Sequence, residues 1–125
     1  MDEKVGKVII APAVLTTIVR LTALAQPGVR RMSSTPPPVE RMLDWNTTSK
    51  GVRLHIDAGD ADAEPGVSVE VFVIADANAN MRELGETLQR EITRAIHNMV
   101  GMQVRQVDVH IDGIEFANAG EAPGR

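Results

Sequence analysis

The sequence predicts an α+β fold: a two-layer sandwich with two amphipathic helices on one face of a mostly antiparallel or mixed sheet. Three observations carry that expectation. Apolar residues recur at three- and four-residue spacing over 12–26 and 84–100. They alternate with polar residues over 52–57, 67–74 and 104–111. Two helices with one apolar stripe each need one sheet face to cover, and a two-layer arrangement is the simplest that provides it.

The expected order is β-α-β-β-α-β with a long loop after the first helix. Val8-Ile9-Ile10, within Lys7 to Ala11, reads as a first strand because it is β-branched throughout. Pro12 stops it and suits a helix's first turn, where its missing N–H costs nothing. Val14, Leu15, Ile18, Val19, Leu21, Leu24 and Ala25 then form a broad apolar helical face, interrupted by Thr16, Thr17, Arg20 and Thr22. Pro27-Gly28 ends that helix.

Arg31 to Lys50 reads as one long excursion. Ser33-Ser34-Thr35-Pro36-Pro37-Pro38 sustains neither a helix nor a central strand. Val39 to Trp45 reads as a short helical turn or an edge segment, followed by the loop chemistry of Asn46-Thr47-Thr48-Ser49.

A hairpin follows. Val52, Leu54 and Ile56 alternate with Arg53, His55 and Asp57, and the acidic stretch to Gly66 supplies its tip. Val67, Val69, Val71 and Val73 share one face, with Ser68, Glu70, Phe72 and Ile74 on the other. The run Phe72 to Ile74 is apolar on both faces, which places it centrally in the sheet or against an interface. Asn80 is a fitting N-cap for the second helix, with Glu83 three residues on, and Gly101 a fitting stop. Leu84, Leu88, Ile92, Ala95, Ile96, Met99 and Val100 form its apolar face. Val107, Val109 and Ile111 face inward on the last strand. Residues 1–117 are expected to form one domain, with 118–125 a flexible tail.

Composition narrows the function classes. With no cysteine there is no disulfide, thiolate metal site or cysteine nucleophile. Phe72, Phe116 and Trp45 are the whole aromatic supply, and recognition of bases relies on stacking rings. A formal net charge of −4 opposes bulk attraction to nucleic acid or anionic lipid. Arg30-Arg31 is the only adjacent basic pair. Met1-Asp2-Glu3-Lys4 lacks the character of a signal peptide, and no apolar run approaches the roughly 20 residues of a membrane span, so no direct membrane insertion is expected.

Four blocks together resemble the alkaline-shock, envelope-stress-response family. Gly6 to Ile18 resembles its opening strand, proline turn and apolar helix. Pro27-Gly28-Val29 resembles its helix stop, and Lys50-Gly51-Val52 the start of its central hairpin. Leu88 to Ile114, with Met99-Val100-Gly101-Met102 at the turn, is similar to its second helix and final strand. The likeness covers roughly residues 3–116 and departs at the proline-bearing excursion. It implies a cytoplasmic bacterial protein tied to envelope stress and homeostasis. In that family some members reach the membrane through a separate anchoring protein and some self-assemble. The family offers no catalytic residues to carry over.

Candidate chemistry is sparse. His55 and His110 lie on the polar phase of their strands. If those strands were neighbours, the two could join Asp57, Asp108 or Asp112 around Zn²⁺, but solvated strand-face histidines are the simpler reading, and no metal or cofactor is expected. Asp57, Asp60, Asp62 and Glu64 lack EF-hand spacing and read as a polar hairpin tip. No nucleophile elbow or P-loop occurs, nothing in the pattern requires a buried carboxylate, and an enzyme is not expected. A KH-type RNA-binding domain would need a GXXG loop, and no glycine pair has that spacing.

Surplus apolar character remains. The face of the first helix exceeds what one sheet can cover. Phe72, Ile74, Met32, Met42, Trp45 and Met102 are the candidate partner or self-association surface, methionine being adaptable at protein contacts, although core filling is its ordinary role. The expectation is a non-catalytic, self-associating scaffold that binds a protein partner, such as a membrane anchor. The alternatives are a metal- or ligand-responsive module, or an RNA-binding domain.

Overall fold

The structure, a computed structural model, describes residues 5–34, 47–49 (main chain) and 51–116. In chain order the elements are α1 (Pro12–Leu24), β1 (Val29–Met32), β2 (Thr47–Ser49), β3 (Val52–Asp57), β4 (Gly66–Asp76), α2 (Met81–Val100) and β5 (Gln103–Glu115). The α+β expectation holds: two helices cover one face of a five-stranded mixed sheet.

β4 is the spine of that sheet. On one edge, β3 pairs antiparallel with its first half (Asp57↔Gly66 to Val52↔Val71), and β1 pairs antiparallel with its second half (Met32↔Val73, Val29↔Ala75). Phe72 marks the junction: its N–H donates to the Gly51 carbonyl, and its C=O accepts from the Ser33 N–H, both at 2.9 Å. β5 runs parallel to β4 along the whole other edge, reached through α2, because a parallel pair needs a crossover connection.

The core lies between this sheet and the helices. Val67, Val69, Val71, Val73 and Ala75 are fully buried, as alternation predicts. They meet Val52 and Leu54 of β3, Leu15, Ile18 and Val19 of α1, and Leu84, Leu88, Ile92 and Ile96 of α2. The Asn80 side chain accepts from the Glu83 N–H at 3.0 Å, capping α2. Gly101, at φ +83°, closes it by donating its N–H to the carbonyls of Ile96 and His97.

Three elements differ from expectation: Val29–Met32 and Thr47–Ser49, which run into or lie within the expected excursion, are strands paired to β4 and β3, and the expected first strand is absent. Lys7 to Ala11 forms no strand, and Val8 is 90 % exposed. A β-branched run fits a pleated surface only where a ladder is offered, and both edges of β4 are taken, one by β3 and β1 and the other by β5. The first strand is instead Val29–Met32, after α1. The reading of Val39 to Trp45 and of the tail 118–125 lies outside the described residues.

Candidate interaction surface

α1 is apolar around more of its circumference than one sheet can cover. Leu15, Ile18, Val19 and Ala23 turn inward, while Val14, Leu21 and Leu24 stay exposed, Leu21 at 58 %. Ile9, Ile10 and Ala11, just before Pro12, flank this face. Together with the end of α2 they enclose a groove of about 800 Å³. Its walls are Ile9, Ile10, Val14, Thr17, Leu21 and Met99, and among the described residues no charged side chain lines it. Met99 belongs to the apolar period of α2 yet is 69 % exposed here. An uncharged trough of this kind offers apolar area and no electrostatic selection, which suits an apolar face of another polypeptide.

The opposite face of the sheet carries a polar cluster. Arg53 (β3) and Glu70 (β4) lie directly across from each other and are only 1 % and 2 % exposed. Arg53 Nη2 donates to Glu70 Oε1. The other carboxylate oxygen of Glu70 lies 2.5 Å from His110 Nε2 on β5. Phe72 stacks on the His110 ring, centroids 4.4 Å apart and planes 13° apart, and the Arg53 guanidinium sits 5.3 Å from the Phe72 centroid. Nothing in the alternation required a buried carboxylate, and Glu70 corrects that reading. Its charge is tolerable there because both oxygens have cationic or hydrogen-bonding partners. The signal was present in the hairpin: folding residues 52–71 about the acidic turn sets an arginine opposite a glutamate.

The histidine pair does not form. His55 sits opposite Ser68 on one side of β4 and His110 opposite Phe72 on the other. The acidic tip is occupied by its own turn. Asp57 accepts from the Gly59 N–H at 2.9 Å and Asp60 from the Asp62 N–H at 2.8 Å. Arg105 binds the base of the tip, 3.2 Å from Asp57 and 2.5 Å from the Glu64 carbonyl. The Gly59 N–H, then Arg105, hold the Asp57 carboxyl below its ordinary value. Arg30 and Arg31 both reach Glu115, Arg31 at 2.8 Å.

The proposed surface residues scatter. Met32 is buried in the core against Gly51. Phe72 and Ile74 are half-buried on the face bearing the polar cluster, and Met102 is half-buried against the core. Met42 and Trp45 lie outside the described residues. Sequence reading singled out neither Ile9 nor Ile10 for the groove, since it placed both in a strand.

Comparison with known proteins is consistent with this architecture. The model of the alkaline shock protein 23 family, described as having a cell envelope-related function, matches residues 1–116. The chain belongs to that family. Two relatives match over most of its length. An uncharacterised protein of Bacillus subtilis (strain 168), YqhY, is 27 % identical over 117 residues, covering 92 % of this chain and 82 % of its own. An uncharacterised protein of Streptococcus pyogenes serotype M6, Spy1535, is 20 % identical over 113 residues, covering 90 % and 81 %. No solved structure matches the chain. Membership of the family ties the chain to the cell envelope, and no described helix is long and apolar enough to cross a membrane.

Proposed function

We propose that this chain is a non-catalytic, cytoplasmic protein-binding domain of envelope homeostasis, self-associating and drawn to the membrane by a protein anchor. The observation that carries this reading is the uncharged groove between the Ile9-Ile10 segment, α1 and Met99. Exposing this much contiguous apolar surface has a solubility cost that occupancy by a partner removes. The occupant is an apolar helix of the anchor, because the exposed positions Val14, Thr17 and Leu21 recur at helical spacing and offer a ridge for helix packing. The excess of acidic over basic side chains argues against nucleic acid as the partner.

The test is affinity capture from detergent-solubilised native cells, with membrane and soluble fractions analysed separately, using the wild type and Leu21→Asp. A membrane-fraction protein held by the wild type and lost with Leu21→Asp supports the reading. Identical capture by both chains removes the groove from it.

A further inference from the structure

The long edge of β5 is a second surface of a different kind. Among the described residues β5 pairs only with β4. The N–H and C=O of Phe72 both turn toward β3 and β1. Val69, Val71 and Val73 therefore turn theirs toward β5, where Asp108 and His110 complete the ladder. Val107, Val109 and Ile111 direct their main-chain groups away from the sheet. Gln89 of α2 already reaches over this edge and donates to the Val107 carbonyl at 3.1 Å. Val107 is only 7 % exposed, so the Gln89 side chain must swing aside before that carbonyl takes a second strand.

The sequence of this edge is self-complementary in one register. Bulges interrupt the β4–β5 ladder on either side of Gln106 to Ile111, leaving that stretch regular. Pair it antiparallel with a second copy about a two-fold axis at Val109, perpendicular to the sheet. Val107 then faces Ile111 of the copy, and Val109 faces itself. Asp108 meets His110 of the copy, twice. The outward main-chain groups fall in three hydrogen-bonded pairs, giving about six bonds. Asp108 and His110 fall at the close, non-bonded positions between them, where facing side chains approach most nearly. Glu70 holds the Nε2 edge of His110, leaving Nδ1 for the aspartate.

The adjoining helix also makes room. Gly85 interrupts a 20-residue helix at a position where a Cβ would touch nothing within 4 Å. Glycine there costs about 1 kcal/mol relative to alanine, and no contact among the described residues requires it. It lines a groove with Met81, Val109 and Ile111, edged by Arg82, Glu86 and Gln89, and the side chains of the copy's β5 would enter at its apolar end.

We propose that two copies of this chain join through β5, antiparallel about Val109, into one continuous sheet. This rests on the self-association in the proposed function and identifies its surface. The full chain is followed by sedimentation velocity over a concentration series, with amide hydrogen exchange read at Val107, Val109 and Ile111. The expected result is a dimer in which those three amides become protected as concentration rises. Gly85→Lys and Asp108→Lys should each weaken association by at least about tenfold, since the symmetry counts every substitution twice. Both should keep the wild-type circular dichroism, and Gly85→Lys also removes the helix penalty. Association untouched by either variant, with the three amides exchanging freely, would overturn β5 pairing and leave groove binding standing. A chain monomeric throughout would overturn it and remove self-association from the functional reading as well.

Discussion

Arg53 and Glu70 are two ionised side chains held almost wholly out of water, and their mutual contact offsets the cost of removing them from it. Removing one leaves the other charged and buried. Glu70→Ala is therefore expected to destabilise the fold by about 3–5 kcal/mol in urea titration. Replacing both together, Arg53→Met with Glu70→Met, should cost less than the sum of the single changes, a coupling that a double-mutant cycle reads directly. Asp57 behaves differently because its side chain is 46 % exposed. Its carboxyl is held below the ordinary 3.8 by the Gly59 N–H and Arg105. A depressed folded value adds stability above the unfolded value and loses it as pH falls through the folded one. The stability gap between wild type and Asp57→Asn should thus be full near about pH 7 and close as pH drops below 3.8, as measured by denaturation across pH.

Among elements, α2 is specified mainly by its own sequence and α1 mainly by its surroundings. α2 has a side-chain cap, a left-handed glycine stop and a narrow buried stripe. Asn80→Ala should lower stability by about 1 kcal/mol, read as a fall in thermal midpoint, because the Glu83 N–H loses its acceptor. α1 has Pro12 in its first turn but no side-chain cap, and its broad apolar face is only half used. Gly51 controls the neighbouring hairpin. At φ +76° it adopts a conformation that L side chains avoid, and a Cβ would lie 2.8 Å from the Cβ of Met32. Gly51→Ala should therefore cost about 1–3 kcal/mol on the same measure.

For the whole molecule, the helices and the groove they wall lie on one sheet face, and the Arg53–Glu70–His110 cluster lies on the other, reaching the β5 edge through His110. Surface changes in the groove are separable from the core. Read from the thermal midpoint, Leu21→Asp should lower stability by no more than about 1 kcal/mol, the propensity and dipole cost of an aspartate in the last helical turn, since position 21 is 58 % exposed. That separability lets loss of partner capture be read as loss of the surface rather than of the fold.

Local periodicity by itself determined the two helices, the hairpin, the inward valines of β4 and both ends of α2, because each depends on neighbours within a few residues. The family was legible in the same way, from the order of short blocks along the chain. Only the tertiary structure decided which strands are neighbours, and everything relational followed from that. It separated His55 from His110 by placing β4 between them, and it buried Glu70 against Arg53. It also left the Val8-Ile9-Ile10 run without a ladder and made it one wall of a groove. β propensity records how well a side chain suits a pleated surface, and only the assembled sheet determines whether such a surface is there to receive it.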